Sequence, residues 1–164
     1  MLSATRRTLR RSVLVSAAIT GIALAPLAVS HFDDKEPLQS YRQSYFTLLA
    51  TNFGPMGAMV KGDMAWDDAM MKTYAHDLAA LAELDLMRGF APGSDKGTTR
   101  AKPGIWDNTD DFADKYANLQ TAARELNSVV SSGGDRKAIA QAVGATGKAC
   151  KACHDDYKAK NYLY

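Results

Sequence analysis

Two cysteines and a histidine lie within five residues of one another near the C-terminus. The segment CKACH contains Cys150, Cys153 and His154, and the chain has no other cysteine. In a Cys-x-x-Cys-His segment the two thiols can add across the two vinyl groups of one porphyrin, and the histidine then lies under the iron as an axial ligand. The segment therefore predicts one haem c, attached covalently through Cys150 and Cys153, with His154 bound to the iron.

Other uses of a Cys-x-x-Cys pair fit the sequence less well. A thioredoxin-like redox pair needs a strand before it and a helix after it, and no segment of the chain has a convincing strand pattern. A zinc site needs two further ligands, and only His31 and His76 remain. One alternative stays open, in which the chain is a haem-free helical binding module with a Cys150–Cys153 disulfide.

The first thirty residues differ in composition from the rest of the chain. They combine four arginines and no acidic residue with an apolar run, interrupted by Gly21 and Pro26, and a small-x-small ending at Ala28 and Ser30. This pattern predicts a cleavable secretory signal peptide over residues 1–30, so that the protein is exported to the periplasm without stable membrane insertion. An uncleaved membrane anchor is the alternative.

The charge of the remaining chain limits its partners. Residues 31–164 carry 16 basic and 18 acidic side chains, a net charge of −2. This balance offers no basic surface for nucleic acid or for an anionic membrane. The length suits a single domain over residues 31–164. No nucleophile beside a base and no carboxylate pair in a plausible cleft is visible, so an enzyme is not the favoured interpretation.

Residues 31–164 contain four segments with helical patterns. The first helix is predicted to begin near Glu36, with Pro37 in its first turn, and to end or kink at Gly54–Pro55, with some helix resuming through Met59 to Gly62. The second is predicted to begin at Asp67 or Asp68. Its predicted apolar stripe is Met71, Tyr74, Leu78, Leu81 and Leu84.

The third and fourth helices carry apolar residues at alternating spacings of four and three. The third is predicted to begin near Asp107 or Asn108 and to end at Gly133–Gly134, and the fourth begins at Asp135 as its N-cap. The two seams are Phe112, Tyr116, Leu119, Ala123, Leu126 and Val130, and Ile139, Val143, Thr146, Cys150, Cys153 and Tyr157. The sequence therefore predicts an all-α fold, an antiparallel up-down four-helix bundle with haem bound near the C-terminal end of the last helix.

The chain resembles the class II c-type cytochromes, and within them the cytochrome c′ family. The resemblance covers residues 36–160 and is carried by the haem motif in the last helix, GATGKACKACHDDYKAK, by YRQSYF in the first helix and by the loop FAPGSDKGTTRAKPGIW. It implies that Cys150 and Cys153 form the thioethers and that His154 is the axial ligand. It also implies a homodimer built through the first two helices.

The resemblance implies roles for six further residues. Arg42 and Gln43 match a polar pair near the haem propionates, and Arg100 matches another propionate contact. Phe46 matches the side chain that covers the open distal face. Phe90 matches an aromatic residue of the pocket, and Lys158 matches a basic residue on the proximal side. Surface exposure or ordinary packing is the alternative explanation for each of them.

The number of iron ligands decides between two functions. The resemblance implies that low-spin relatives use a methionine near the position of Phe46, but the nearest methionine here, Met56, lies ~15 Å farther along a straight helix. The apolar stripe places His76 off the core face. We therefore expect five-coordinate haem with His154 alone, binding nitric oxide or carbon monoxide and able to exchange one electron with an unidentified redox partner. The alternative is a six-coordinate, low-spin electron-transfer cytochrome of class II, with a ligand from the methionines after Pro55.

Overall fold

The computed structural model describes residues 35–163, and the predicted signal peptide lies outside them. The four long helices form the predicted bundle, and a short helix, a 3₁₀ turn and two short strands connect or extend them. None of the helices in the described part of the chain is long and apolar enough to cross a membrane. In chain order the elements are α1 (Pro37–Lys61), α2 (Asp68–Ala82), the 3₁₀ turn (Met87–Phe90), β1 (Thr99–Ala101), α3 (Gly104–Asp107), α4 (Thr109–Ser131), α5 (Arg136–Tyr157) and β2 (Lys158–Leu163).

The helices do not all pack equally closely. α4 packs extensively on both α5 and α2, and α2 packs on α1, whereas α1 and α5 contact one another much less. A cavity between α1 and α5 separates the two helices at the C-terminal end of α5. The bundle is therefore closed on three sides and opens on the fourth, next to the haem motif.

The two predicted seams are confirmed. All six predicted seam residues of α4 are buried. In α5 the seam residues Ile139, Val143, Thr146 and Tyr157 are buried, while the two cysteines are partly buried and line the cavity. α5 also begins as predicted, because the Asp135 carboxylate accepts a hydrogen bond of 2.7 Å from the backbone N–H of Ala138.

The start of α2 is confirmed and its predicted stripe is partly wrong. The Asp67 carboxylate accepts a hydrogen bond of 2.9 Å from the backbone N–H of Met70, which satisfies one of the unpaired donors at the helix start. The helix ends at Ala82, so Leu84 leaves the stripe and is 43% exposed. Small side chains, including the buried Ala75, supply part of the inward face instead.

Helix α1 does not end at Pro55. It continues to Lys61, although Pro55 offers no backbone N–H and crowds the preceding turn. The residues that follow explain the continuation, since Met56 and Met59 are 0% and 4% exposed in the core. Their burial offsets the missing hydrogen bond, which the sequence pattern around Gly54 could not indicate.

The expectation that the chain has no strand is wrong for two short segments. β1 and β2 pair antiparallel, with Thr99 opposite Leu163 and Ala101 opposite Lys158. Neither strand has the length or the β-branched alternation that would identify it from sequence alone. The strands form because the bundle brings the C-terminal residues beside the loop before α3, which is a long-range effect.

Candidate functional site

A cavity of about 640 Å³ lies between α1, α4, α5, the loop before α3 and β2. This volume falls within the range of about 300–1,000 Å³ that is usual for small-molecule and cofactor sites. Most of its wall is apolar, with polar side chains at one edge. All nine residues selected from the sequence line it: Arg42, Gln43, Phe46, Phe90, Arg100, Cys150, Cys153, His154 and Lys158.

The last two turns of α5 place the haem motif on the cavity wall. Cys153 and His154 come three and four residues after Cys150, so both lie on the same helix face as Cys150. Both cysteines are free, partly buried thiols. Burial raises the pKa of Cys150, and burial is also the main cause that raises the pKa of Cys153 to about 11. The thiols are therefore protonated near neutral pH and lack the thiolate character of a redox or zinc-binding pair.

The imidazole of His154 is prepared to act as a neutral ligand. Burial lowers its pKa, and the nearby cations Lys158 and Arg100 lower it further. A neutral imidazole keeps a nitrogen lone pair for a metal ion. Water still reaches the ring from the cavity mouth, because the residue as a whole is exposed.

Phe46 faces His154 across the cavity. The two ring centroids are 6.4 Å apart and the rings are inclined at 68°. The cavity separates α1 from α5 here, and its lining includes both cysteines as well as the two rings. The cysteines, the histidine and the opposed phenyl ring therefore fit one haem between α1 and α5.

Arg42 of α1 is used mainly to hold the loop before α3. The residue is 4% exposed, and its guanidinium lies 5.0 Å from the ring centre of Phe90. Its terminal nitrogens donate to the carbonyl oxygen of Gly89 at 2.7 Å, to the hydroxyl and carbonyl oxygens of Ser94 at 3.0 and 2.9 Å and to the hydroxyl of Thr99 at 3.2 Å. Within the described structure, only its Nε–H has no hydrogen-bond acceptor. Arg42 can therefore offer one hydrogen bond to a propionate.

Neighbouring side chains on the same face of α1 strengthen this hold on the loop. Gln43 donates to the carbonyl oxygen of Thr98 at 2.8 Å, and the Glu36 carboxylate accepts from the Thr98 N–H at 2.9 Å. Gln39 donates to the carbonyl oxygen of Lys96 in the same loop at 2.7 Å. A side chain at Gly97 would lie 2.0 Å from the Glu36 carboxylate, so this close approach requires glycine. Sequence analysis missed Glu36 and Gln39, although their spacing from Gln43 places all three on one helix face.

Two basic residues of the loop hold the end of α5 and the strand after it. Arg100 donates from Nε to the carbonyl oxygen of Ala159 at 2.9 Å and from Nη2 to the next carbonyl, so these donors serve β2. Lys102, which sequence analysis missed, donates to the carbonyl oxygens of Asp155 and Asp156 at 3.0 Å each. A cation at this position satisfies unpaired carbonyl groups and opposes the negative end of the helix dipole.

A second polar cluster lies beside Cys153. The Tyr157 hydroxyl donates to the Asp111 carboxylate, and Lys115 lies 2.8 Å from that carboxylate and 3.4 Å from Asp156. The hydrogen bond to Asp111 is the main cause that raises the pKa of Tyr157 to about 12. Lys115 and Tyr157 also line the cavity, so the α4 side of the site is held by charge as well as by apolar contact.

Comparisons with known proteins agree with this geometry. The family model described as Cytochrome C' matches residues 38–158. A cytochrome c' of Cereibacter sphaeroides is 37% identical over 153 residues, which are 92% of this chain and 99% of that protein.

Two solved structures are also similar to this chain. One is a nitric oxide complex of a mutant of cytochrome c prime from Alcaligenes xylosoxidans, with a TM-score of 0.69 and 36% identity over 79% of this chain and 99% of that one. The other is a cytochrome c' described as having an unusual ligand-controlled dimer dissociation, with a TM-score of 0.71 and 29% identity over 76% of this chain and 96% of that one.

The match and the cavity together identify the cofactor. Proteins of the matched family bind covalent haem c, and this chain has its two cysteines at the spacing that attachment requires. Haem c is attached through Cys150 and Cys153. Because the family model covers most of the sequence and the attachment residues lie on the cavity wall, the chain belongs to the cytochrome c′ family.

Proposed function

We propose that this protein is an exported haem protein whose iron has one axial ligand, His154, and which binds small gases such as nitric oxide and carbon monoxide. The observation that carries the proposal is the position of Phe46, whose ring centre lies 6.4 Å from that of His154. A phenyl ring has no lone pair to give to iron. The sixth position therefore has no protein ligand, and a diatomic gas that binds there must displace the Phe46 ring.

The surroundings of Phe46 support binding of nitric oxide in preference to dioxygen. Two hydroxyls of α1 line the cavity: that of Thr47 donates to the carbonyl oxygen of Gln43 at 2.8 Å, and that of Thr51 donates to the carbonyl oxygen of Leu48 at 3.0 Å. Their protons are therefore already used and are not available to a gas molecule bound beside Phe46. Dioxygen needs such a hydrogen bond more than nitric oxide does, since nitric oxide binds iron strongly without one. The nitric oxide complex of the Alcaligenes relative supports the same assignment.

The six-coordinate alternative lacks a ligand in the described part of the chain. No methionine and no histidine other than His154 is among the described residues that line the cavity. Met56 and Met59 are packed in the core, and His76 is exposed with its Nδ1 3.2 Å from Asp77. A second strong ligand would therefore require a rearrangement of α1.

The absorption spectrum of the dithionite-reduced protein, before and after addition of carbon monoxide, tests this proposal. A broad high-spin spectrum that shifts with the gas is the expected result. Sharp, split low-spin bands that do not change when carbon monoxide is added would contradict the proposal and favour the electron-transfer function. Phe46→Met is the matched control, because a thioether at this position should give the low-spin spectrum in the same protein.

We also infer that the protein exchanges one electron with a redox partner, and that the first thirty residues direct its export. Covalent haem on a periplasmic protein requires that the chain cross the membrane before the haem is attached. N-terminal sequencing of the haem-containing product tests the export step. A mature chain that begins near His31 supports it, and a product that begins at Met1 contradicts it.

A homodimer built through α1 and α2 is the third part of the proposal. Leu48 of α1 is 48% exposed, which is unusual for a leucine on a long helix of a bundle. The relative with ligand-controlled dimer dissociation supports self-association. Leu48→Lys should shift the sedimentation of the haem protein from dimer to monomer, whereas Ala117→Lys, on the exposed face of α4, should not. Equal sedimentation of both variants would exclude this surface.

A further inference from the structure

The C-terminal strand lies at the haem cavity although it extends past the family match. That match ends at residue 158, where β2 begins. We propose that β2 is the closing wall of the haem cavity, with Tyr162 as the side chain that covers its mouth and Arg100 as the residue that positions the strand. The inference deepens the proposed function and rests on haem binding in this cavity, but not on the number of iron ligands.

The register of the ribbon determines where β2 runs. Ala101 pairs with Lys158, immediately after the end of α5, and Thr99 pairs with Leu163. The hydroxyl of Thr99 in turn accepts a hydrogen bond from Arg42 of α1. The strand therefore starts on the side of the cavity formed by α5 and ends beside the loop that is fastened to α1.

The cavity lining identifies which side chains of β2 face the haem site, because an irregularity interrupts the pairing between the two paired positions of the ribbon. Lys158 and Tyr162 both line the cavity, whereas the neighbouring Asn161 does not. Tyr162 is 48% exposed, so about half of it is covered while the rest faces solvent. This is the position of a side chain at a cavity mouth.

Arg100 fastens this strand from β1. Its two hydrogen bonds to the carbonyl oxygens of Ala159 and Lys160 are charge-assisted and come from one rigid guanidinium. A two-stranded ribbon has little stability of its own. The time that β2 spends against the cavity therefore depends on these bonds, which makes Arg100 a positioning residue for Tyr162.

Anaerobic stopped-flow reduction of the ferric holoprotein by dithionite measures how well the mouth is covered. Tyr162→Ala changes no charge and should make reduction about three- to tenfold faster, because the barrier to close approach falls. Tyr162→Phe keeps the ring, and Asn161→Ala changes a neighbouring side chain that does not line the cavity, so both should react like the unmodified protein. A Tyr162→Ala rate equal to that of Asn161→Ala would overturn the proposal.

Arg100→Ala tests the positioning role with a readout that does not involve the iron. Hydrogen exchange of the backbone amides of residues 159–163 should become faster, and Arg100→Lys, which keeps the charge and one donor, should restore part of the protection. The reduction rate should rise as well. Loss of the positive charge alone would make reduction by the anionic dithionite slower. A faster reduction of Arg100→Ala would therefore come from the strand and not from the lost charge. Unchanged exchange in Arg100→Ala would remove Arg100 from the proposal.

The two proposals fail in different ways. If the unmodified protein gives a low-spin spectrum that ignores carbon monoxide, the gas-binding function fails, while the dithionite rates still report on the closing wall. If Tyr162→Ala does not fold, a chain that ends after Lys158 supplies the same comparison. Reduction of that truncated holoprotein at the rate of the full chain would overturn the closing wall while leaving gas binding intact.

Discussion

The seam residues of α4 and α5 follow the same spacing along both helices, but those in one half of the pair contact other side chains and those in the other half line the cavity. The half away from the haem motif, here the far half, has six seam residues that pack against protein. The half next to the haem motif, here the cavity half, has six that line the cavity. The far half contains Ala123, Leu126, Val130, Ile139, Val143 and Thr146, and the cavity half contains Phe112, Tyr116, Leu119, Cys150, Cys153 and Tyr157.

The contrast separates stability from binding. In the far half, Leu126 and Thr146 are both 0% exposed, and the Thr146 hydroxyl is bonded to the carbonyl oxygen of Ala142 at 3.0 Å. In the cavity half the two cysteines remain partly open towards the cavity. A heptad pattern thus indicates which way a side chain points, but not whether it meets another side chain or a cofactor.

The largest expected effect follows from removing the two thiols of the cavity half that attach the haem. In the double variant Cys150→Ser, Cys153→Ser neither thioether can form, so covalent haem should be lost completely. Acid–acetone extraction followed by haem staining of a denaturing gel measures it. Ala152→Ser, on the exposed face of the same helix, should keep its haem. Staining of the double variant would mean that other groups hold the haem.

The next largest effect follows from a change in the far half. Leu126→Ala removes a fully buried side chain and should lower the free energy of unfolding by about 2–5 kcal/mol. Urea unfolding measures the loss, and haem staining should stay unchanged. Leu84→Ala, at a residue that is 43% exposed, should change stability by less than about 0.5 kcal/mol. If Leu126→Ala removed the haem and kept the stability, the two halves would not differ as described.

Local patterns explain what the sequence could predict. The seams of α4 and α5 follow from helix period, and Asp67 and Asp135 follow from their capping chemistry, because the groups involved are close in the sequence. The haem motif is also local, since its two cysteines and its histidine lie within five residues. This is why the bundle and the attachment residues were predicted correctly.

Long-range contacts explain what the sequence could not predict. The partners of Arg42 lie 47 to 57 residues away, in the segment that runs from the 3₁₀ turn to the start of β1. Arg100 meets β2 across a separation of 59 residues, and Lys102 reaches the end of α5 across a similar distance. No periodic pattern encodes such contacts. The strands, the hold on the loop and the closing wall appear only when the bundle brings these segments together.

A smaller effect is expected at the wall opposite the cavity half. Phe46→Ala opens the space in front of His154 and should make carbon monoxide bind about tenfold faster after flash photolysis, because less crowding has to be overcome. Asn118→Ala, at an exposed position of α4 that does not line the cavity, is the matched control. Equal association rates for both variants would show that Phe46 does not control access to the iron.

The smallest expected effect concerns the pH dependence of stability, to which Asp111 contributes at the edge of the cavity half. The hydrogen bond from Lys115, followed by that from Tyr157, lowers the pKa of Asp111. A carboxyl whose pKa is lower in the folded protein contributes stability above its unfolded pKa of about 4 and loses that contribution as pH falls through the folded value. Asp111→Asn should therefore lower the urea midpoint at pH 7.

The same linkage requires that the difference disappear in acid. Asp111 is exposed, so salt screens its interactions and the gap at pH 7 should narrow as ionic strength rises. Asp114→Asn, on the same helix, serves as the control and should leave the midpoint at pH 7 unchanged. A gap for Asp111→Asn that stays constant from pH 7 into strong acid would mean that the side chain acts through its shape and not through its charge. The edge of the cavity half would then be held by packing, as the far half is.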